Sequence, residues 1–231
     1  MTFILIPGAW LGEWCWREVT RRLDEAGWQS IAITLPGLGE RANLLNPDIG
    51  LDAHVSDVVS LLSDRALRNV TLVGHSYGGT VISAVAEQLP DRVSCLVFLD
   101  ASIPQDGQSN NDVLGSEWAD RIRATARETG DGWRVPPPSS LDVPDDINIW
   151  AAQKLTPHPL RSFEDPVRLR SPTAARIRRV FLRSSTHVPL YDRLMERARA
   201  AGWQCGDVPG GHYSMLTAPQ AVAEAFGALM T

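Results

Sequence analysis

The stretch Gly74-His75-Ser76-Tyr77-Gly78 decides the fold of this chain. It has the pattern G-x-S-x-G and directly follows the apolar run Val70–Val73, which predicts a strand. The segment Thr80–Leu89 that comes after it has the composition of a helix and ends before Pro90. A strand, a sharp turn and a helix form the context that a nucleophile elbow requires, because the glycines let the backbone pass closely around a strained serine. Ser76 is therefore the candidate nucleophile.

Apolar strands alternate with amphipathic helices on both sides of this stretch. The predicted strands are Phe3–Ile6, Ser30–Leu35, Val70–Val73, Val93–Leu99, Arg179–Arg183 and Trp203–Val208. The predicted helices are Glu18–Ala26, Leu51–Leu67, Thr80–Leu89, Tyr191–Ala200 and Ala218–Leu229. Strands buried on both faces that alternate with helices indicate an α/β fold: a doubly wound, mainly parallel sheet flanked by helices.

The alternation stops between residues 102 and 172. This stretch is rich in proline and contains Trp118, Trp133 and Trp150. Because the tryptophans give it apolar surface to bury, we interpret it as a folded cap over the edge of the sheet and not as an irregular linker. The predicted organisation is a core formed by residues 1–101 and 173–231, with a cap insertion at residues 102–172.

Composition limits the partners that the chain is expected to have. The formal net charge of -5 argues against a nucleic-acid partner, which requires a basic face. No apolar run is long enough to span a bilayer, so no membrane partner is expected. The five histidines have no metal-ligand spacing and there is no C-x-x-C, so neither a metal nor a cofactor is expected. A small-molecule substrate is the expected partner, and a homodimer is an open alternative to a monomer.

The cysteines and the first residues indicate a cytoplasmic protein. Cys15, Cys95 and Cys205 are odd in number and far apart, which is typical of buried free thiols in a reducing compartment. The run Met1–Pro7 lacks the charged region and the cleavage site of a signal peptide, and it reads as a first strand.

His212 is the candidate general base. A serine hydroxyl is a weak nucleophile and needs an adjacent base. His212 follows the last predicted strand, and Gly210 and Gly211 before it allow the loop to direct an imidazole at Ser76. The order of serine first and histidine after the last strand matches the hydrolase pattern.

Two backbone amides are the candidate oxyanion donors. The first is the N–H of Tyr77, the residue after the nucleophile. The second comes from the loop after the first strand, Pro7-Gly8-Ala9-Trp10, in which Ala9 is the best candidate. Two donors directed at a developing oxyanion lower the barrier by several kcal/mol.

The acid that would orient the base is not evident. It is expected after the strand Arg179–Arg183, but the loop that follows has no carboxylate and has His187 where the acid is expected. Asp192 lies further on, in the next helix, and Asp100 ends the strand after the elbow helix. For Asp100 we favour a structural role, as a cap of the turn that leads into residues 102–172, over the role of the acid. A neutral imidazole offers no negative charge to an imidazolium, so we expect weakened hydrolysis, an acid from elsewhere, or a reaction that needs no full triad.

At this point the chain resembles the α/β-hydrolase superfamily over nearly its whole length. More narrowly, it is similar to the group of small esterases that includes plant methyl-salicylate esterases and hydroxynitrile lyases. The matching segments are Pro7–Trp16, Gly74–Gly79, Phe98–Gly107, Leu155–Leu160 and Gly211-His212. The resemblance implies the α/β-hydrolase fold, with Ser76 as nucleophile, His212 as base, and Ala9 and Tyr77 as oxyanion donors.

The chain departs from that group at several positions. The group usually has His-Gly where this chain has Pro7-Gly8, often has a second histidine at position 11, here leucine, and has its acid at His187. It also has an aspartate at position 100 beside its normal acid. The lyases have a threonine at the position of Gly8 and a lysine at the position of Tyr213. This chain has neither of the two residues that distinguish a cyanohydrin-cleaving lyase.

The sequence is compatible with three functions. The first is a serine hydrolase that cleaves a small, largely apolar carboxylic ester or lactone through an acyl-enzyme on Ser76. The second is a lyase, isomerase or cyclase of a secondary-metabolite-like substrate, which uses His212 as a general base without a full triad. The third is a small-molecule binder without turnover, which the presence of both Ser76 and His212 argues against.

Overall fold

The structure is a computed structural model that describes residues 1–186 and 188–229. Its strands are β1 (Thr2–Ile6), β2 (Gln29–Ala32), β3 (Val70–His75), β4 (Val93–Leu99), β5 (Arg134–Val135), β6 (His158–Pro159), β7 (Arg178–Ser184) and β8 (Gln204–Val208). Its longer helices are α1 (Arg17–Glu25), α2 (Leu51–Asp64), α3 (Gly78–Gln88), α5 (Ser116–Thr129), α6 (Asp145–Ala152), α9 (Pro189–Ala200) and α11 (Pro219–Ala228). The shorter α-helices are α4 (Asn110–Leu114), α7 (Leu160–Glu164), α8 (Pro172–Ala175) and α10 (Ser214–Thr217). Short 3-10 helices span Glu13–Trp16, Gly39–Leu44 and Pro90–Arg92.

A parallel sheet organises the chain. Its strand order is β2-β1-β3-β4-β7-β8, and every pair in it is parallel. The order reverses direction at β1, as expected of a doubly wound sheet with helices on both faces. The predicted α/β fold is confirmed.

Two apolar cores lie on opposite faces of the sheet. Along β1, Ile4 and Ile6 join the core that packs against α2, α3 and α9. Phe3 and Leu5 point to the other face and join the core with α1 and α11. All four side chains are fully buried, and this alternation from one face to the other follows from the two-residue period of a strand.

The second strand is shorter than the sequence predicts. The expectation was Ser30–Leu35, but β2 ends at Ala32. Beyond that residue Thr34 leaves the sheet, and its hydroxyl accepts from the amide of Glu13 (2.8 Å) and donates to Glu40 (2.7 Å). β2 is an edge strand paired only with β1, so few ladder bonds hold its end.

Residues 102–172 lie between β4 and β7 and contain α4, α5, α6, α7 and the antiparallel pair β5–β6. The strands of the main sheet come from residues before and after this stretch. Several residues of this stretch line the cavity described below, together with Ser76 at the end of β3.

Candidate active site

Ser76 lies at the sharp turn from β3 into α3. Its φ is 53°, in the left-handed region that a non-glycine residue rarely adopts. A side chain at Gly74 would place its Cβ 2.5 Å from the Gly78 carbonyl oxygen, so the turn requires glycine there. The Ser76 carbonyl accepts from the amides of Gly79 (3.1 Å) and Ser102 (3.0 Å). The backbone therefore stabilises the strained turn on which the candidate nucleophile lies.

His212 lies in the turn between β8 and α10, on the same cavity as Ser76. Its Nδ1 is 3.4 Å from Oδ2 of Asp100. Its backbone carbonyl accepts a 2.8 Å hydrogen bond from Nε2 of the buried His75, the residue before Ser76. The loop that carries His212 is thus tied to the nucleophile turn.

Asp100 is the carboxylate that the structure places at His212. It directly follows β4 and is fully buried. Its Oδ1 accepts from the backbone amide of Ser184 (2.8 Å), and its Oδ2 accepts from the Ser184 hydroxyl (2.6 Å). The interpretation of Asp100 as a cap of the turn into residues 102–172 is wrong. Since β4 and β7 are neighbours, the carboxylate turns toward Ser184 at the end of β7.

Asp192 is the other carboxylate that the sequence offers for this role. Asp192 lies in α9, and its carboxylate forms a 2.6 Å ion pair with Arg183. His187, which stands at the position where the sequence predicts the acid, lies outside the described residues.

The two candidate oxyanion donors, Ala9 and Tyr77, line the same cavity as Ser76 and His212. Within residues 1–186 and 188–229, neither backbone amide donates a hydrogen bond to a protein acceptor. The next amide along the first loop, that of Trp10, is instead engaged by Nδ1 of His158 at 3.4 Å. The amides of Ala9 and Tyr77 are therefore available to a ligand in the cavity.

Tyr191, at the start of α9, contacts the candidate base. Its ring stacks on the His212 imidazole, with centroids 5.0 Å apart and an interplanar angle of 13°. Its hydroxyl is 3.5 Å from Nε2 of His212. Burial raises the pKa of Tyr191 well above its usual value, the charge of Asp100 adds to the rise, and an interaction with Ser76 opposes it. The phenol therefore stays protonated beside Ser76 and His212.

Three further histidines are buried, His54, His75 and His158, and His75 is part of the cavity lining. His54 accepts at Nδ1 from the Tyr77 hydroxyl (2.8 Å), because its Nε2 carries the proton that is donated to the carbonyl of Pro36 (3.1 Å). Burial lowers the pKa of His54 to about 4. Burial also lowers the pKa values of His75 and His158 well below the usual value, so all three imidazoles are neutral at pH 7.

The cavity above Ser76 has a volume of about 620 Å³. Its lining is largely apolar and aromatic, and includes Trp10, Trp118, Ile122, Val135, Phe163 and Tyr191. Of the tryptophans in residues 102–172, Trp118 lines the cavity, whereas Trp150 packs edge-on against Trp14 at 5.2 Å on another part of the molecule. A largely apolar pocket with a few polar groups suits a small organic ligand.

Among the described residues, no group of three or more His, Cys, Asp or Glu side chains is arranged to hold a metal ion. In the same part of the chain, none of the helices combines the length and the apolar character needed to cross a bilayer.

Sequence reasoning identified Ser76, His212, Ala9 and Tyr77, and the structure brings all four to one cavity. It missed two kinds of residue at this site. Ser184 is the last residue of β7 and Tyr191 lies at the start of α9, and no sequence pattern connects either residue to Ser76 or His212. His158 lies in Leu155–Leu160, one of the segments that resemble the esterase group, and no spacing pattern connects it to the first loop.

The doubly wound parallel sheet, with a serine at the strained turn after β3, is the fold of an α/β hydrolase. A sequence model of the alpha/beta hydrolase family matches residues 3–225. The chain therefore belongs to the α/β-hydrolase family.

Two curated relatives resemble the chain over most of its length. The carbendazim hydrolyzing esterase of Nocardioides sp. is 32% identical over 98% of this chain and 98% of that protein. The pFDCC methylesterase MES16 of Arabidopsis thaliana is 28% identical over 87% of this chain and 82% of that protein. These relatives confirm the class predicted from the sequence, a serine esterase on an α/β-hydrolase scaffold.

A solved structure shows the same fold. The extracellular α/β-hydrolase from a Paenibacillus species, described as sharing structural and functional homology with tobacco salicylic acid binding protein 2, superposes with a TM-score of 0.87. The two chains are 22% identical, and the match covers 99% of this chain and 98% of that one.

Proposed function

We propose that this protein hydrolyses a small, largely apolar carboxylic ester or lactone, with Ser76 as nucleophile, His212 as general base and Asp100 as the carboxylate that orients the base. The observation that carries the proposal is the 3.4 Å contact between Nδ1 of His212 and the buried Oδ2 of Asp100. This contact favours the tautomer in which Nδ1 carries the proton and Nε2 is free to accept one.

Acylation begins with the Ser76 hydroxyl. Its oxygen attacks the ester carbonyl carbon while Nε2 of His212 takes its proton. The imidazolium then donates that proton to the leaving alkoxide as the C–O bond breaks, which leaves an acyl group on Ser76. Asp100 stabilises the imidazolium through Nδ1, and Ser184 satisfies both oxygens of Asp100 in the buried site.

The oxyanion formed during this step lies against two backbone amides. We assign them to Ala9 and Tyr77, because both residues line the cavity and neither amide donates to another described residue. Donors fixed in advance stabilise developing charge without reorganisation, and loss of one such donor slows chemistry by about 10²- to 10³-fold.

Water completes the reaction. It attacks the acyl carbonyl while His212 takes a proton, the tetrahedral oxyanion lies in the same hole, and collapse returns the proton to Ser76. The products are a carboxylic acid and an alcohol, or a single hydroxy acid from a lactone.

The cavity supports the choice of substrate class. We propose that residues 102–172 act as the cap, because Trp118, Ile122, Val135 and Phe163 from this stretch line the cavity above Ser76. Such a lining binds an apolar group of the substrate, and Ser76 and His212 in the same cavity receive the ester carbonyl. Both relatives are named as esterases, and the name methylesterase agrees with an ester whose alcohol part is small.

The alternative of a non-hydrolytic lyase, isomerase or cyclase depended on the lack of an acid for His212. Asp100 beside His212 weakens that reason, so we favour hydrolysis. A cytoplasmic location and a homodimer stay predictions from the sequence alone.

Turnover of short-chain p-nitrophenyl esters, together with labelling by a fluorophosphonate, tests the proposal. We expect hydrolysis and a single adduct on Ser76, with both lost in Ser76→Ala and turnover lost in His212→Ala. Ser60→Ala, which removes an exposed hydroxyl on α2, is the matched control and should keep both signals. Turnover that survives in Ser76→Ala would contradict the proposed nucleophile.

A further inference from the structure

Trp10, the residue after the proposed oxyanion donor Ala9, has a strained backbone. Its φ is 65°, in the left-handed region. A bulky side chain there is unfavourable, at a cost on the order of 1–3 kcal/mol, and persists only where the surroundings hold it. The first loop therefore needs an external restraint to keep this conformation.

Residues of the 102–172 stretch supply that restraint through three hydrogen bonds. The backbone amide of Thr156 donates to the Trp10 carbonyl at 3.2 Å. The Trp10 amide donates to Nδ1 of His158 at 3.4 Å. The Trp10 indole N–H donates to the carbonyl of Val135 at 3.0 Å. The backbone of Trp10 is thus held on both its N–H and its C=O, and its side chain is held as well.

The surroundings of His158 favour the tautomer in which Nδ1 accepts a hydrogen bond. Its Nε2 is 2.8 Å from the Ser162 hydroxyl, which itself donates to the carbonyl of Pro159 at 2.9 Å. Since the Ser162 proton is used there, Nε2–H of His158 is the donor and Nδ1 keeps its lone pair. The ring is fully buried and stacks on Phe163, with centroids 4.2 Å apart. Burial and the nearby His54 lower its pKa, so protonation does not remove the acceptor near pH 7.

The direction of the Trp10 amide fixes the peptide plane between Ala9 and Trp10. With that plane fixed, rotation about the Ala9 backbone is restricted, and so is the direction of the adjoining Ala9 amide. A displacement of about 1 Å in a group that stabilises a transition state costs about 10²-fold in rate.

We propose that His158 is a positioning residue: by accepting the Trp10 amide it holds the first loop in the conformation that directs the Ala9 amide at the oxyanion. The inference deepens the proposed function and rests on it. Through His158, residues 102–172 affect the chemistry at Ser76 in addition to forming part of the pocket wall.

Two polar substitutions of His158 separate its two nitrogen atoms. The side-chain amide of His158→Asn lies near the position of Nδ1 and can accept from Trp10. The longer His158→Gln places its amide near the position of Nε2, so it keeps a partner for Ser162 and loses the one for Trp10. Ser162→Ala removes the partner of Nε2, together with the bond to the Pro159 carbonyl, and leaves Nδ1 of His158 in place. Neither variant of His158 titrates, which makes them a matched pair.

The measurements are kcat and KM for a p-nitrophenyl ester, the inhibition constant of a trifluoromethyl ketone, and the thermal unfolding midpoint. The ketone forms a tetrahedral adduct on serine, so its affinity depends on the oxyanion hole. For His158→Gln we expect kcat to fall by at least about tenfold, KM to stay within about threefold, and the ketone to bind weaker by the same factor as kcat falls. His158→Asn and Ser162→Ala should stay within about threefold of the unaltered protein in all three constants.

Two results overturn the inference. One is that His158→Gln and His158→Asn have the same kcat and the same affinity for the ketone. This holds if both variants stay active, and also if both lose activity and unfold at a lower temperature than the unaltered protein. In that case the proposed function stands, provided that the unaltered protein hydrolyses the ester through Ser76. The other is that the unaltered protein shows no turnover that depends on Ser76, which rejects the proposed function and the inference with it.

Discussion

Asp100 and His212 meet at the carboxyl end of the sheet, with Oδ2 of Asp100 3.4 Å from Nδ1 of His212, although 112 residues separate them in the sequence. They meet because β4, which Asp100 follows, and β8, which precedes His212, are both neighbours of β7. Carboxyl ends of parallel strands lie at one edge of a sheet, and side chains that follow them converge there. The carboxylate that contacts His212 therefore comes from the end of β4.

Asp100→Asn tests this relationship. An amide of the same size keeps the packing but removes the charge and can hold His212 in the wrong tautomer, so we expect kcat to fall by about 10³-fold or more. Asp192→Asn is the matched control, since it changes the carboxylate paired with Arg183. Steady-state kinetics on the same ester measure both. A kcat for Asp100→Asn near that of the unaltered protein, with a large loss in Asp192→Asn, would reverse the assignment.

In the proposed mechanism, the hydroxyl of Tyr191 competes with Ser76 for Nε2 of His212. It lies 3.5 Å from Nε2 of His212, the atom that must take the Ser76 proton. We expect Tyr191→Phe, which keeps the stacked ring, to react with a fluorophosphonate about two- to fivefold faster, in keeping with the loss of one neutral hydrogen bond. Tyr191→Ala also removes the ring that holds the imidazole and should react more slowly. A loss of about tenfold or more in Tyr191→Phe would instead mean that the phenol takes part in the chemistry.

Stability should decrease in acid because His54 is buried in its neutral form. Its pKa is lowered from 6.5 to about 4 by burial. Between these pH values the unfolded chain binds more protons than the native one, so the free energy of unfolding falls as pH falls. Each such histidine contributes up to about 1.4 kcal/mol per pH unit in that window.

His54→Gln removes this titration. Chemical unfolding at several pH values from about 7 to about 4 should give a shallower pH dependence for the variant than for the unaltered protein. Its stability at pH 7 should be lower, because the Tyr77 hydroxyl is left without the 2.8 Å bond to His54. Equal slopes for the two proteins would show that His54 does not titrate differently in the native and unfolded states.

Gly74 is expected to tolerate no side chain. A Cβ there would lie 2.5 Å from the backbone of Gly78, which cannot move without displacing Ser76. Gly74→Ala should lower the free energy of unfolding by about 1–3 kcal/mol and reduce labelling of Ser76 by a fluorophosphonate. Gly206→Ala is the control, because the new Cβ there meets a methyl group of Leu182 at 3.4 Å and no other atom within 4 Å. Its free energy of unfolding should change by less than about 0.5 kcal/mol. Similar losses in the two variants would contradict the close packing of the turn.

The sequence predicted the parallel sheet and the place of Ser76 because those features depend on local patterns. Apolar runs that alternate with helices are read along the chain, and glycines around Ser76 mark the turn directly. The predicted end of β2 was wrong by three residues, because the hydrogen bonds of Thr34 with Glu13 and Glu40 take the chain out of the sheet after Ala32.

The role of Asp100 could not be read in the same way. Its hydrogen bonds to Ser184 join residues 84 positions apart, and only the order of β4 and β7 in the sheet brings them together. The contact of His158 with Trp10 joins residues 148 positions apart and depends on how residues 102–172 fold back on the first loop. Composition and periodicity carry no information on such pairs.

The most direct test of the central claim is the mass of the intact protein, quenched in acid within the first turnovers of a p-nitrophenyl ester. The account predicts one added acyl group per chain, located on Ser76 by peptide mapping and absent from Ser76→Ala. Ester hydrolysis with no acyl group on Ser76, or with the same rate in Ser76→Ala, would contradict it.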